Sequence, residues 1–332
     1  MRICIFGAGA VGGQLGARFM RAGIDVSLIA RGEHLASMQS NGLKLVEGGK
    51  EWICRPICTD DPATIGVQDV VVMSVKTTAL SAAASQILSL LGTDTQVIFA
   101  MNGMPWWFLD GLKCDVPQAF LASLDPNGVL RNIVGLHRTV GCSINSGSEI
   151  IAPGIVRSDT PERNRITLGK PDGSESAILS AFAALCSRAG YPTAITSRIR
   201  DEMWPKLMTH SCRPPVCGLT DLTTRQLAND KDLLSIVEQI LKELISLGFR
   251  LGLSFSFDLE QELARKPRGD HVSSFVQDIK AGRYPELASG IVAMRRAAHA
   301  AGVDTPVLNV VSALISARVS SLLANNASTG AG

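Results

Sequence analysis

Residues 1–31 read MRICIFGAGAVGGQLGARFMRAGIDVSLIAR, and this stretch decides the fold of the N-terminal half. Residues 2–6 form a short apolar run, glycines follow at positions 7, 9 and 12, and apolar residues then recur at helical spacing as far as Gly23. A second strand is predicted over residues 25–29. A strand, a glycine-rich turn, a helix and a second strand in about thirty residues are the context in which G-x-G-x-x-G indicates dinucleotide binding.

The three glycines of this turn have separate roles in such a site. Gly7 permits the tight turn, Gly9 lets the backbone approach a pyrophosphate, and Gly12 lets the helix pack closely on its strand. The amides at the N-terminus of the helix, with the positive end of its dipole, then bind the anion. The alternative is a tight connection with chance glycines. The predicted cofactor contacts of the turn are Gly7, Ala8, Gly9, Ala10, Val11 and Gly12.

The end of the second strand distinguishes the two pyridine nucleotides. NAD sites commonly place Asp or Glu about 20 residues past the fingerprint, to bind the ribose 2′-hydroxyl. Here the strand ends Leu-Ile-Ala-Arg31 without an acid, and a guanidinium matches the oxygens of a 2′-phosphate. NADP(H) is therefore favoured. Glu33, two residues on, keeps NAD open, and Arg31 as a solvated loop charge is the alternative.

Two further apolar runs predict buried parallel strands over residues 69–75 and 96–101, with a helical stretch over 79–91 between them. Ligands of a doubly wound sheet lie beyond the carboxyl ends of its strands. Lys76 and Asn102, which follow these two strands, are therefore candidate site residues, and ordinary strand-end polar residues are the alternative. For Trp106 and Trp107, core or dimer packing is favoured over a contact with nicotinamide.

The chain divides into two domains on this pattern. Gly, Pro and Ser punctuate short strand-like pieces between residues 140 and 169, and a helix is predicted over 175–189. From Arg198 onward the pattern predicts successive helices, over 199–212, 231–247, 257–265, 284–301 and 307–323. The fold class is α/β: an NADP-binding, Rossmann-type domain with a doubly wound parallel sheet (1–196), an all-helical substrate and catalytic domain (197–323), and a disordered tail (324–332).

Composition excludes several classes of protein. The 332 residues are 46% hydrophobic with a mean hydropathy of +0.20, which excludes a disordered chain. Lys and Arg number 32 against 30 Asp and Glu, without basic blocks, so neither nucleic acid nor a membrane surface is a predicted partner. Uninterrupted apolar runs are strand-sized, and the N-terminus lacks the layout of a signal peptide. A cytoplasmic protein that binds a small molecule is expected.

The cysteines and histidines do not predict a metal site. Eight cysteines are scattered along the chain, which favours free buried thiols over a disulfide framework. The pairs Cys54/Cys58 and Cys212/Cys217 lack the two-residue spacer of a zinc site, and no pair of histidines accompanies them. The five histidines are dispersed, and His210 is the one that the sequence singles out as a candidate site residue.

Five elements in order resemble the ketopantoate reductases (2-dehydropantoate 2-reductases) over nearly the whole chain. They are the GAGAVG turn, Lys76, Asn102-Gly-Met, Trp204-Pro-Lys-Leu, and Ser273-Ser-Phe-Val-Gln-Asp-Ile followed by Glu286. The resemblance implies NADPH-dependent reduction of a 2-keto acid to a 2-hydroxy acid, namely ketopantoate to pantoate in pantothenate biosynthesis.

The resemblance also implies roles for individual residues. Lys206 looks like the catalytic lysine, Asn102 and Ser274 look like substrate contacts, and Lys76, Asn102 and Glu286 look like cofactor contacts. Glu286 near Lys206 is expected to bias its protonation and to act with it in catalysis. An ammonium about 3 Å from the substrate ketone can stabilise the developing negative charge and donate a proton. A solvated surface lysine, and a first-turn helix acid at position 286, are the alternatives.

Two positions depart from the family pattern. The family places substrate-binding asparagines four and eight residues after the lysine, where this chain has His210 and Pro214. Residues 213–215, Arg-Pro-Pro, are predicted to end the helix, and Pro205 to kink it. His210 is expected to bind substrate, as a hydrogen-bond donor in place of the amide or as a second acid, and a packing histidine is the alternative.

These departures leave three hypotheses of function open. The first is a ketopantoate reductase, the second a reductase for a bulkier 2-keto acid on the same scaffold, and the third an NADP-binding sensor without turnover. The apolar stripes of the helical domain are compatible with a homodimer.

Overall fold

The computed structural model describes residues 1–112, 118–158, 160–266 and 272–329, so that Cys114 and His271 lie outside the described residues. Its strands are β1 (Ile3–Phe6), β2 (Ser27–Ile29), β3 (Leu43–Glu47), β4 (Lys50–Cys54), β5 (Ile57–Thr59), β6 (Gln68–Met73), β7 (Leu91–Phe99), β8 (Thr139–Asn145), β9 (Ser148–Ala152), β10 (Ile155–Ser158), β11 (Arg165–Gly169) and β12 (Thr193–Ile195). Its α-helices are α1 (Ala10–Arg21), α2 (Gly32–Asn41), α3 (Leu80–Gln86), α4 (Gln118–Leu124), α5 (Val129–Ile133), α6 (Gly135–Arg138), α7 (Ala177–Arg188), α8 (Ile199–Thr220), α9 (Thr224–Leu227), α10 (Lys231–Arg250), α11 (Leu259–Ala264), α12 (Ser274–Lys280), α13 (Ile291–Ala300) and α14 (Pro306–Thr329).

Internal contacts divide the chain into two compact units. Unit 1 comprises Met1–Met101 and Asn127–Glu202, and unit 2 comprises Asn102–Pro126 and Met203–Gly332. This division differs from the predicted one in two ways. First, the 25 residues Asn102–Pro126, which follow β7, belong to unit 2, whereas the predicted division kept them in the N-terminal domain. Second, the last passage from unit 1 to unit 2 comes after Glu202 and not after residue 196.

Unit 1 is built on a large sheet in which parallel pairing predominates. The order is β12-β11-β8-β7-β6-β1-β2-β5, with β1 at the turning point from which the chain winds in both directions. The predicted doubly wound α/β fold is confirmed, with one addition. Strand β11 pairs antiparallel with β8, where Ile166 lies opposite Ile144, before β12 returns to parallel pairing.

A second, smaller sheet in unit 1 was not predicted. Its order is β4-β3-β10-β9, in which β3 and β10 are parallel and the outer pairs are antiparallel hairpins. Helix α1 packs between this sheet and β1 and β2. Its glycines allow that approach, because a Cβ built at Gly13 would lie 2.8 Å from Val156 and one at Gly16 would lie 2.7 Å from Leu28.

Buried polar groups attach α1 to the small sheet. Arg18 donates to the Glu47 carboxylate from Nε and Nη2, at 2.9 and 2.6 Å, and to the carbonyl oxygen of Gly190 from Nη1. Gln14 donates to Ser158 Oγ at 2.7 Å. All four side chains of this network, from Gln14, Arg18, Glu47 and Ser158, are buried, and the ion pair within it satisfies both charges.

Helix α8, which belongs to unit 2 from Met203 onward, runs unbroken from Ile199 to Thr220 through Pro205, Pro214 and Pro215. The expectation that residues 213–215 end the helix is therefore wrong. A helical proline lacks an N–H and costs roughly 3 kcal/mol. Packing offsets this loss, since Cys212, Val216 and Cys217 on both sides of the prolines are buried.

The C-terminal helices differ from the predicted spans at two places. Helix α13 begins at Ile291 after Gly290 as N-cap, so residues 284–290 lie outside the helix and Glu286 is not a first-turn acid of it. Helix α14 extends to Thr329, whereas the composition predicted disorder from residue 324. Residues 330–332 lie outside the described residues.

Helix α14 is also the one described helix that is long and apolar enough to span a membrane, over residues 306–324. The sequence shows no uninterrupted apolar run there, because Asn309 and Arg318 interrupt the stretch. A core helix of a globular unit passes the same test of length and composition. Leu308, Val311 and Ile315 form a buried stripe at helical spacing, while Val310 and Leu314 are exposed.

The excursion after β7 supplies the aromatic core of unit 2. Trp106, Trp107 and Phe108 are each at most 1% exposed, and Phe108 stacks on Trp204 with ring centroids 5.8 Å apart. Trp204 donates to the carbonyl oxygen of Leu244. The structure therefore places the Trp pair in the packed interior, in agreement with the core interpretation.

Candidate active site

The glycine turn between β1 and α1 has the geometry that the sequence predicts. Gly7 adopts φ +105°, a conformation that favours glycine, and the amides of Gly7 and Ala8 both donate to the carbonyl oxygen of Ile29 at the end of β2. A Cβ built at Gly12 would lie 2.2 Å from the carbonyl oxygen of Gly7 and 2.4 Å from Ser74 Oγ. Gly12 is thus required by close packing.

Gly9 differs from the other two glycines. It is the N-cap of α1, with φ −70° and ψ −159°, and a Cβ built there meets nothing within 4 Å. No described side chain caps this N-terminus, and its first turn contains no acidic residue. The open space in front of Gly9 and the first amides of α1, which as in any helix have no partner within the helix, fit a pyrophosphate, which needs N–H donors and a close backbone.

The other predicted cofactor contacts of unit 1 lie at the carboxyl ends of neighbouring strands. Arg31, two residues after β2, is exposed and is the N-cap of α2, and Glu33 is exposed in the first turn of the same helix. Lys76 is exposed beyond β6, where it precedes the short 3₁₀ turn Thr77–Ala79. Because β1, β2 and β6 are adjacent and parallel, these ends share one edge of the sheet with the glycine turn.

The remaining predicted residues all belong to unit 2. Asn102 begins the excursion, and its turn is fastened to the segment before α13: the Met104 amide donates to the carbonyl oxygen of Ser289 at 2.7 Å, and a Cβ built at Gly103 would overlap Ser289. Glu286, half-buried, lies three residues before Ser289. The structure therefore brings the Asn102 turn and the Glu286 segment together.

Lys206 and His210 lie one turn apart on α8, hence on one face of that helix. His210 keeps access to solvent, yet desolvation, followed by the positive charges of Lys206 and Arg265, lowers the pKa of its imidazole well below its usual range. His210 is therefore neutral near pH 7. This favours the interpretation of His210 as a neutral hydrogen-bonding group over that of a second acid.

Ser274 and Asp278 lie four residues apart on α12 and differ in exposure to solvent. Ser274 is exposed at the first position of α12, next to Phe275, which contacts Gly218 of α8. Asp278 is 3% exposed and forms an ion pair with Arg283 at 2.9 Å. Ser274 thus remains a candidate for substrate contact, and the ion pair of Asp278 is local to α12 and the turn after it.

Three residues that contact or influence the predicted site residues were not singled out from the sequence. His34 and Ser74 bond to the glycine turn, and Arg265 lies within electrostatic reach of His210. Each acts across a long sequence separation, and no local spacing predicts such contacts. Among the described residues, no group of three or more His, Cys, Asp or Glu is placed to hold a metal ion, and the described cysteines are free thiols.

Comparison with known proteins decides the family. The model of ketopantoate reductase PanE/ApbA matches residues 3–106, and the model of its C-terminal domain matches residues 198–319. A 2-dehydropantoate 2-reductase from Mesorhizobium japonicum is 32% identical over 317 residues, which covers 95% of this chain and 97% of the relative. The chain belongs to the ketopantoate reductase family. This is a family of pyridine-nucleotide-dependent oxidoreductases that act on CH–OH groups.

Solved structures agree with the family fold. A chain from Ralstonia solanacearum MolK2 assigned to the ketopantoate reductases has a TM-score of 0.85 at 30% identity, covering 97% of this chain and 98% of that one. A D-mandelate dehydrogenase solved with NADH and anilino(oxo)acetate has a TM-score of 0.82 at 21% identity, covering 97% and 99%. The second likeness concerns the fold alone.

Proposed function

We propose that this family member reduces a 2-keto acid to a 2-hydroxy acid with NADPH, and that ketopantoate is the first substrate to test. The observation that carries the proposal is the glycine turn. Its middle glycine faces open space at the uncapped N-terminus of α1, as a pyrophosphate requires. The curated relative named above is a 2-dehydropantoate 2-reductase, which supports the choice of substrate.

Arg31 supports NADPH over NADH. It stands two residues after β2, near the position where NAD sites commonly carry an acid, and its guanidinium is exposed. A guanidinium forms charge-assisted, bidentate bonds with phosphate oxygens. Glu33 in the first turn of α2 is the competing feature, since its carboxylate suits a ribose 2′-hydroxyl.

The roles of the unit 2 side chains follow from the charge that develops during reduction. When bound, the nicotinamide supplies a hydride to the keto carbon. The carbonyl oxygen of the substrate then gains negative charge, and the Lys206 ammonium stabilises it and donates the proton. His210, neutral and one turn away, donates a hydrogen bond to the substrate. Asn102 and Ser274 orient the substrate, and Glu286 holds Lys206 in position.

Pro214 supports a second candidate, a reductase for a bulkier or less hydroxylated 2-keto acid. Proline has no side-chain donor, and it stands where the family pattern has an asparagine that binds substrate. A substrate hydroxyl buried there without a partner loses roughly 1–3 kcal/mol. Helix α8 continues past Pro214, so residue 214 is helical and differs from the family pattern only in its side chain.

Oxidation of NADPH across a panel of 2-keto acids, ketopantoate included, tests this proposal. With the best acid, Lys206→Ala should lower kcat by about 10² to 10⁴ and leave NADPH affinity unchanged. Lys242→Ala is the matched control, because Lys242 is an exposed lysine of α10 paired with Glu238. NADPH binding without turnover of any acid would contradict the proposal and indicate a sensor protein. Equal kcat for the two lysine variants would remove Lys206 from the mechanism.

A further inference from the structure

His34 connects the glycine turn to the small sheet. Its side chain lies in the first turn of α2, half-buried, with Nε2 2.8 Å from the carbonyl oxygen of Ala8 and Nδ1 3.0 Å from the amide nitrogen of Gly154. The Gly154 amide can only donate, so Nδ1 accepts and carries no proton. Nε2 therefore carries the proton and donates to Ala8. One neutral tautomer satisfies both bonds, and burial, which lowers the pKa of His34, favours it.

The carbonyl that His34 holds belongs to the peptide between Ala8 and Gly9. In a planar trans peptide the N–H points opposite to the C=O, so fixing the Ala8 oxygen also fixes the direction of the Gly9 N–H. The preceding peptide is held in the same way, because Ser74 Oγ donates to the Gly7 oxygen at 2.8 Å while the Ala8 amide donates to Ile29. Two side chains thus orient two successive peptides of the turn.

The other partner of His34 is a constrained hairpin turn. Gly154 links β9 to β10 with φ +74°, and its carbonyl oxygen accepts from the Lys44 amide at 2.9 Å. Ser37, one helical turn after His34, donates from Oγ to the carbonyl oxygen of Pro153 at 2.9 Å. The hairpin turn is therefore fastened to α2 by two residues, of which only His34 also reaches the glycine turn.

We infer that His34 is a positioning residue for the pyridine nucleotide: it fixes the Ala8–Gly9 peptide so that the Gly9 N–H faces the open space in front of α1. The inference rests on the proposed function, since that space is taken as the pyrophosphate position. Without His34 the peptide rotates more freely, and part of the binding free energy is lost in ordering it. The effect falls on nucleotide affinity and not on the hydride step.

Three substitutions separate the two bonds. His34→Ala removes both, and should raise the Kd for NADPH about tenfold, as expected for one hydrogen bond to a well-ordered group. His34→Gln keeps an N–H donor at the ε position and should restore affinity to within about threefold of the parent. His34→Asn keeps the acceptor at the δ position, facing Gly154, but loses the N–H donor at the ε position, and should bind NADPH as weakly as His34→Ala. Ser37→Ala is the matched control, because it loosens the hairpin without touching Ala8.

The readouts are NADPH titration by fluorescence, steady-state kinetics and a thermal melt of each variant. The inference predicts a raised KM for NADPH with kcat and the KM for the keto acid within about twofold of the parent. It is overturned if His34→Ala binds NADPH as tightly as the parent, if Asn rescues and Gln does not, or if Ser37→Ala weakens binding equally. A parent protein that binds neither NADPH nor NADH would instead overturn the proposed function, so the two failures are distinguishable.

Discussion

Substitution of Gly9 by valine separates nucleotide binding from folding. A Cβ at Gly9 meets nothing within 4 Å, and φ −70° with ψ −159° is open to a branched residue. Loss of glycine stabilises by about 0.4–1 kcal/mol through the unfolded chain, while valine is the poorer N-cap by a similar amount. The two effects nearly cancel, so the unfolding free energy of the variant should lie within about 1 kcal/mol of the parent.

The affinity for NADPH, in contrast, should fall strongly. The valine side chain fills the space that a pyrophosphate would occupy, and it keeps the phosphate away from the first amides of α1. Each charge-assisted bond from an N–H to phosphate is worth about 1.5–3 kcal/mol, so the loss of two corresponds to roughly 10² to 10⁴-fold in Kd. NADPH titration of a variant that still melts cooperatively measures this loss directly.

Gly12→Ala is the matched control for this experiment. Its Cβ would lie 2.2 Å from the Gly7 carbonyl oxygen, so the helix must shift away from β1, at a cost of roughly 1–3 kcal/mol in stability. This corresponds to a fall in melting temperature of about 2–12 °C for a unit of this size. The reasoning is refuted if Gly9→Val binds NADPH within threefold of the parent, or if Gly9→Val lowers the melting temperature more than Gly12→Ala does.

Three further outcomes are expected. Arg31→Ala should erase a preference for NADPH over NADH of about 5- to 150-fold, measured as the ratio of the two Kd values; equal affinities in the parent would contradict it. His210→Asn combined with Pro214→Asn should raise kcat/KM for ketopantoate about 5- to 150-fold relative to the preferred acid, unless ketopantoate is already the best substrate. Because burial lowers the pKa of His34 in the folded protein, the unfolding free energy should fall as the pH drops below 6.5, and His34→Gln should reduce that slope in urea melts.

The beginning of the fold could be predicted almost residue by residue. The predicted strand over 2–6 is Ile3–Phe6, and the predicted helix ends at Arg21, before Gly23 with φ +70°. This segment is predictable because its signals are local: an apolar run, glycines with positional requirements and a helical stripe all lie within thirty residues of each other. The roles of Gly7 and Gly12 in turn formation and packing agree with the structure for the same reason.

The course of the chain after β7 could not be predicted in this way. Residues 102–126 join unit 2 because Trp107 and Phe108 are buried there with Trp204, which lies almost a hundred residues further on. The sequence presents two tryptophans in a turn-like context, and this does not reveal what they pack against. His34 is a similar case, since its partners Ala8 and Gly154 are 26 residues before it and 120 after it.

The prolines of α8 show how a structural correction changes the functional argument. If the helix ended at residues 213–215, Pro214 would lie in a loop, and its comparison with a helical asparagine would have no geometric meaning. Because α8 continues to Thr220, Pro214 keeps the helical position two turns after Lys206, and His210 keeps the position one turn after it. The departures from the family pattern are therefore changes of side chain at fixed places. Two amides capable of donating and accepting are replaced by one neutral imidazole and one group without a donor, which reduces the hydrogen-bonding capacity available to a hydroxylated substrate.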